Sequence, residues 1–188
     1  MYTFLKDKIL DEEGREIMMD WETDLMQEHA KVVTENGGDI LEIGFGMGIC
    51  ASFIQQANIN THTIIEIHDE IFERLLEWAK DKPNVIPIKG DWFNNILKDK
   101  KYDGVMHDTW NDINFTNYFF PTIKPFLKSK AIVTWYNNSN KEQIINYISK
   151  LKWGNLHLKE IDVNPPKNMF HQYYHKDKYL IPKLVYNY

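Results

Sequence analysis

The chain has 188 residues, 43% apolar and 26% charged, which predicts one globular domain burying about 70% of its unfolded surface. No apolar run approaches the roughly 18 residues of a membrane helix. Met1–Leu10 carries Lys6, Asp7 and Lys8 where a signal peptide would be apolar, so a soluble, cytoplasmic protein without a membrane partner is expected. Cys50 is the one cysteine, which excludes an internal disulfide and a multi-cysteine zinc site. Residues 1–94 carry a net charge of −11 and residues 95–188 of +6. The positive half contains no arginine and its lysines are scattered, so no nucleic-acid partner is expected either.

Residues 20–36 show helical spacing through Trp21, Leu25, Met26, Ala30 and Val33, with Asp20 as the expected cap, and Asn36-Gly37-Gly38 stops the helix. A strand over Asp39–Ile43, a Gly-rich loop and a helix over about 48–57 follow. Next come a strand over Thr63–Ile67, a helix over about 69–80, and strands over Asn84–Ile88, Tyr102–His107 and Ala131–Tyr136. Helical patterns near 115–127 and 140–151 fill the later gaps. Strands alternating with helices predict βαβ units and a parallel sheet covered on both faces. After about residue 154, Leu156–Val163, Met169–Tyr174 and Leu180–Tyr186 read as extended, with Pro165-Pro166 between. The prediction is a doubly wound α/β domain over residues 1–188, with 1–17 as an N-terminal segment and an antiparallel C-terminal hairpin.

Ligands of such sheets bind beyond the carboxyl ends of the strands, which is where the chemistry-bearing residues fall. Gly44-Phe45-Gly46-Met47-Gly48 sits between a strand and a helix, where glycines allow a tight turn and close approach of a ligand. Its spacing is not the GxGxxG of a dinucleotide site, which disfavours an NAD oxidoreductase. Glu42 before it is more typical of S-adenosylmethionine sites, where no pyrophosphate must be neutralised. Glu66 ends the next strand, placed to accept both ribose hydroxyls. In Gly90-Asp91-Trp92 an acid and a ring could hold adenine, or Asp91 could cap a helix and Trp92 fill the core. Asp108 follows the fourth strand, which in such a sheet lies beside the first. It reads as a turn residue or as a group facing the reactive end of a cofactor. Glu22 reads as a first-turn acid of its helix, and Ser139-Asn140-Lys141-Glu142 as a capping box. His171 and His175 lack an acid or cysteine to complete a metal site, and Cys50 reads as a packed residue.

Taken together, Met18-Met19-Asp20-Trp21-Glu22-Thr23, Leu41–Met47, Ile64-Ile65-Glu66, Val85–Gly90 with Trp92, Tyr102-Asp103-Gly104 and Asp108-Thr109 resemble the guanidinoacetate N-methyltransferase family. Weaker echoes run through Thr134, Asn137, Pro165-Pro166 and Tyr173-Tyr174 to Ile181-Pro182. The resemblance extends to related arginine methyltransferases of fungi and plants. It implies a Rossmann-like class I methyltransferase fold, S-adenosyl-L-methionine as cofactor and S-adenosyl-L-homocysteine as product. Met18, Met26, Gly44, Phe45, Gly46, Met47, Gly48, Ile49, Cys50, Glu66, Ile67, His68, Trp92, Phe93 and Asp108 match the family's cofactor contacts. Glu22 and Asp108 match the two catalytic carboxylates that grip a guanidino group, and Asn138 and Ser139 the pair that receives the substrate carboxylate. No metal is implied. The expectation is methylation of a small guanidino acid, guanidinoacetate to creatine first, by a monomer or homodimer. Another guanidino compound, protein arginine, or a silent S-adenosylmethionine-binding module are the alternatives. The sequence departs from the family pattern at Asn138-Ser139, which replace a Leu-Thr pair, and at His107 and Trp110, which replace tyrosines.

Overall fold

The computed structural model describes residues 1–94, 97, 100–110, 115–152, 154–167, 169 and 174–187. The chain opens with three short strands, β1 (Thr3–Phe4), β2 (Lys8–Leu10) and β3 (Glu16–Met19), paired antiparallel in that order. The β2–β3 turn is built on Asp11, whose Oδ1 accepts the Glu13 and Arg15 N–H groups while Gly14 N–H donates to its carbonyl. The sequence of residues 1–17 predicts none of these strands. Strands of two to four residues carry too little periodicity to be seen, although Asp first and Gly fourth is a turn pattern.

A single 3-10 turn over Asp20–Glu22 then leads into α1 (Thr23–Val33). Asp20 does not cap this start. Glu22 instead reaches back, its Oε1 accepting the Met19 N–H at 3.0 Å. Then follow β4 (Asp39–Ile43), α2 (Ile49–Ile54), β5 (Thr61–Glu66), α3 (Asp69–Ala79), β6 (Val85–Lys89), β7 (Tyr102–His107) and α4 (Phe115–Ile123). The last elements are β8 (Leu127–Trp135), α5 (Lys141–Ser149), β9 (Gly154–Asp162) and β10 (Lys178–Tyr186).

Seven strands form one sheet in the order β6-β5-β4-β7-β8-β10-β9, parallel from β6 to β8 and antiparallel beyond. The C-terminal pair predicted as an edge hairpin is present, with β10 inserted against β8 and β9 at the edge. Side chains alternate between the two faces. Leu41, Ile43, Ile65, Val105 and Val133 meet Phe119, Phe120, Ile123, Ile144 and Ile148 of α4 and α5. Ile40, Met106, Tyr179 and Ile181 face Leu25, Met26, Ala30, Val33, Cys50 and Ile54 of α1 and α2, while Ile64 meets Ile71 and Leu75 of α3. Burial on both faces explains why these strands are nearly continuous apolar runs.

Three boundaries differ from expectation for local reasons. The helix expected over 115–127 ends at Ile123 and tightens into a 3-10 turn over Lys124–Phe126, where Pro125 cannot continue an α-helix. β8 starts at Leu127, not Ala131, because the β7–β8 register shifts between Tyr102 and Gly104, with Lys130 at φ +64°. The cap of α5 lies one residue later than expected: Asn140 and Gln143 exchange 2.9 Å bonds, in place of Ser139 and Glu142. Of the extended stretch expected over Met169–Tyr174, residues 170–173 lie outside the described residues, and Met169 and Tyr174 are not in a strand. Among the described residues, no helix is long and apolar enough to cross a membrane.

Helix α1 lies flush on β7 at Gly104, where a Cβ would stand 2.2 Å from the Val33 carbonyl oxygen and 2.9 Å from Ile40 Cδ1. Backbone cannot yield as a flexible side chain can, so Gly104→Ala should destabilise the fold by about 2–3 kcal/mol. That corresponds to a Tm loss of roughly 4–12 °C, measurable by thermal denaturation.

Candidate active site

The carboxyl ends of β6, β5, β4 and β7 stand side by side, and the segments leaving them enclose a cavity of about 360 Å³. This volume is within the roughly 300–1,000 Å³ of small-molecule sites. Gly44 and Gly46 line it after β4, Glu66, Ile67 and His68 after β5, Gly90, Asp91 and Trp92 after β6, and Asp108, Thr109 and Trp110 after β7. Glu42 lines it from β4 itself, and Met18 and Glu22 close it from the N-terminal side. Residues far apart in the chain, from the N-terminal strands to the end of β7, thus converge on one space.

The Gly44 turn couples two of these walls. Gly44 has φ +91°, and a Cβ there would lie 1.8 Å from the Asp108 carbonyl oxygen. Asp108 N–H in turn donates to the Ile43 carbonyl at 2.8 Å. Glu66 spans the next gap: its Oε2 accepts the Phe45 N–H at 3.0 Å and its Oε1 the His68 N–H at 2.8 Å. Each carboxylate oxygen has a second acceptor site, so the pair can still receive two hydroxyls. Asp91 makes an Asx turn, with Oδ1 accepting the Phe93 N–H at 2.9 Å, and residues 92–94 continue as a turn and not a helix. The capping reading for Asp91 is therefore replaced by a turn. Trp92 is buried, edge-on to the Phe119 and His107 rings, while its residue also lines the cavity.

Other expected residues sit elsewhere. Met26 is buried on the core-facing side of α1, and Met47, Gly48, Ile49 and Phe93 do not line the cavity, though Met47 N–H contacts Met18 Sδ at 3.2 Å. Cys50 lines the cavity but is buried. Burial, then the charges of Glu42 and Asp108, hold its thiol well above the usual range, which makes it a poor nucleophile. Asn138 is exposed and Ser139 half-buried, both off the cavity wall, and the Ser139 N–H points to Asn137 Oδ1 at 3.3 Å. His171 lies outside the described residues; among those described, no group of three His, Cys, Asp or Glu could hold a metal ion.

Two lining residues carried no signal in the sequence. Tyr2 and Ile17 come from the N-terminal sheet, which is tied down by the Tyr2 hydroxyl 2.9 Å from His68 Nδ1 and by Arg15 over the Trp110 ring. An isolated tyrosine two residues from a terminus cannot be recognised as a cavity wall from spacing alone.

The donor set suits a cationic nucleoside. Glu22, Glu42, Glu66, Asp91 and Asp108 line the cavity, and among the described lining residues none is Lys or Arg. A pyrophosphate would be repelled here, whereas a sulfonium and an ammonium would be attracted. Glu66 fits a ribose diol, and Ile67, Ile71 and Trp92 offer apolar surface to a base.

A family model described as guanidinoacetate N-methyltransferase matches residues 4–160. The protein arginine N-methyltransferase 2 of Aspergillus oryzae is 32% identical over 155 residues, 77% of this chain and 37% of that protein. Its Kluyveromyces lactis counterpart is 31% identical over 158 residues, 77% of this chain and 38% of that protein. The chain thus spans little more than a third of the length of these curated relatives. Among solved structures, the N-methyltransferase NodS from Bradyrhizobium japonicum WM9, in complex with S-adenosyl-L-homocysteine, superposes with a TM-score of 0.67. It shares 10% identity over 88% of this chain and 87% of that one. Spermidine synthase from Thermotoga maritima gives a TM-score of 0.71 at 12% identity, over 98% and 72%. At these identities the structures establish the fold: a Rossmann-like methyltransferase sheet.

The crowded acids have a thermodynamic consequence. Burial first, then Glu22 and Glu42, push the Asp108 carboxyl well above the ordinary carboxylate range. Below the unfolded-state value near 3.8 both states hold the proton, and no difference arises. As pH rises above it, the unfolded chain releases the proton before the folded protein does, so the ligand-free fold loses stability until the raised folded value is passed. Asp108→Asn removes this penalty. The ligand-free variant should match the wild type near pH 4 and melt higher than it at pH 7, read from Tm against pH for both proteins.

Proposed function

The chain belongs to the guanidinoacetate N-methyltransferase family, and from that premise we propose that it transfers a methyl group from S-adenosylmethionine to a guanidino nitrogen. Guanidinoacetate is the first acceptor to test. The observation that carries this reading is the convergence of Glu22 and Asp108 on one cavity with no Lys or Arg among its described lining residues. A guanidinium is planar with paired N–H donors. Two carboxylates can each take it bidentately, every charge-assisted bond adding about 1.5–3 kcal/mol. The strand order supports a division of labour. Gly90–Trp92 after β6, Glu66 of β5 and the Gly44 turn after β4 would hold the cofactor, which would leave the end of β7, with Asp108, for the acceptor.

When bound, S-adenosylmethionine supplies an electrophilic methyl group on sulfur. The residues of the chain supply alignment and a place for a proton. Holding acceptor and donor in line is worth about 7–11 kcal/mol of the barrier. The guanidino nitrogen has a delocalised lone pair, and one proton must leave it for each methyl gained. Asp108 takes that proton; burial, and then the neighbouring Glu22 and Glu42, raise its carboxyl and make it a stronger base than an ordinary carboxylate. Glu22, fixed by its bond to the Met19 N–H, orients and polarises the group.

A second reading, methylation of arginine within a protein, is favoured by the names of the relatives. The two readings share the guanidino grip and differ in what the rest of the acceptor meets.

The test is calorimetry with S-adenosylhomocysteine, then assays of guanidinoacetate, other guanidino acids and arginine peptides by mass spectrometry for a gain of one methyl group. No cofactor binding would sink the proposal. Binding without any methylated product would leave the silent module in its place. Asp108→Asn should lower kcat at least ~10³-fold and change S-adenosylhomocysteine affinity less than about threefold. Glu66→Ala should do the reverse, weakening that affinity by about 100-fold or more by losing two charge-assisted bonds to the ribose.

A further inference from the structure

One carboxylate on the cavity wall is buried without a role in the chemistry above. Glu42 of β4 is 1% exposed, and its Oε2 has no hydrogen-bond partner among the described residues. His62 of β5 is 0% exposed, and its Nε2, 2.9 Å from that oxygen, has none there either. The sheet register brings the two together. His62 stands opposite Ile40 in the parallel β4–β5 pair, which makes it a diagonal neighbour of Glu42 on the same face. Apolar side chains pack on that face, among them Ile40, Ile54 and Met106. A buried polar group left without a partner is costly, and on a cavity wall it marks a place kept for a ligand.

The pair is held from behind. Gln55, the residue that closes α2, has its Nε2 3.2 Å from His62 Nδ1. An amide N–H donates there, so Nδ1 accepts and the proton of the ring resides on Nε2, facing Glu42. The Cys50 thiol, which also lines the cavity, is kept protonated by burial first and then by the charges of Glu42 and Asp108. It supplies no counter-charge. Burial first, then Glu22 and Glu42, likewise raise the Asp108 carboxyl. Around Glu42 there stand an N–H, a thiol and a second acid, and no Lys or Arg is among the described lining residues.

The proposed reaction brings a cation to this wall. With an acceptor held at Asp108, the donor sulfur stands one methyl group from the acceptor nitrogen, the reacting atoms being about 3–3.5 Å apart. The Gly44 turn meets the Asp108 backbone, and Glu42 lies two residues before that glycine, near the end of β4. We propose that Glu42, oriented by the N–H of His62, recognises the positive charge on the donor sulfur. Glu42 is then the charge-selecting residue of the cofactor site, and His62 a positioning residue that acts through it. Transfer of the methyl, with the C–S bonding pair left on sulfur, removes that charge. Glu42 thereby favours exchange of spent cofactor for fresh. This rests on the acceptor's place at Asp108, but its test needs no acceptor.

The probes are S-adenosylmethionine and S-adenosylhomocysteine, which differ only by the methyl and the charge it gives the sulfur, titrated separately by calorimetry. Glu42→Gln keeps the shape and removes the charge. It should weaken S-adenosylmethionine at least about tenfold and S-adenosylhomocysteine less than about threefold. His62→Leu, which removes the N–H, should lower the same affinity ratio about three- to tenfold. His62→Gln, which offers an N–H again, should recover most of it. The Glu42→Gln/His62→Leu double variant should lose no more than Glu42→Gln alone, since the two act as one unit. It also removes both members of the buried pair, which leaves a folded protein to measure if a single variant does not fold. Equal weakening of both ligands by Glu42→Gln puts the carboxylate at a group they share and overturns the proposal, as does an unchanged ratio. Additive losses in the double variant overturn the role of His62. A wild type that binds neither ligand overturns the methyltransferase reading itself.

Discussion

The site depends on the contact between the Gly44 turn and the carbonyl of Asp108. The two segments approach so closely that no side chain fits at position 44, and Asp108 N–H closes the contact by bonding to Ile43. The contact exists because β4 and β7 are neighbours in the sheet although some sixty residues separate them in the chain. It sets the loop expected to hold a cofactor against the acid expected to meet an acceptor, with no adjustable segment between. Catalysis by alignment needs such a fixed relation, because the gain from holding two reactants in line disappears when they are misplaced by about an ångström.

Electrostatics explains what the fixed geometry is for. Glu22, Glu42 and Glu66 are each at most 4% exposed, and they share the cavity wall with Asp108. Glu42 has His62 Nε2 2.9 Å from its Oε2, off the line of a hydrogen bond. Glu66 is satisfied by backbone N–H groups. Asp108 carries the remaining strain: burial, then the charges of Glu22 and Glu42, raise the proton affinity of its carboxyl. The ligand-free fold gives up stability to keep a carboxyl there, the usual relation between an active site and its scaffold. Cationic ligands on both sides of Asp108 would relieve it, so substrate binding and stabilisation of the fold are coupled through one side chain.

Much of this was legible in the sequence. Apolar β-branched runs alternating with amphipathic stretches are the direct mark of a parallel sheet covered on both faces, so the strand–helix order followed from periodicity. Gly44, Glu66 and Asp108 stand at strand ends, and the rule that ligands bind there assigned their place before any distance was known. Boundaries were less secure wherever a local competition decides them. Asn140 rather than Ser139 caps α5, and Glu22 rather than Asp20 satisfies the start before α1. In both cases two neighbouring residues can offer the same oxygen, and tertiary packing selects one.

The sequence by itself determined the sheet, the glycine turn and the set of acids, because hydrophobic period, backbone freedom and charge are properties of residues and their near neighbours. Only the tertiary structure decided that Tyr2 and Ile17 fold back beside Met18 as one wall of the cavity, and that hydrogen bonds join His29, Thr134, Asn137 and Tyr179. Those arrangements depend on where distant segments meet. A histidine among apolar helical residues carries no mark of the tyrosine 150 positions away that will complete its hydrogen bonds. The approach of strands and helices, fixed by burial of the core, sets that meeting.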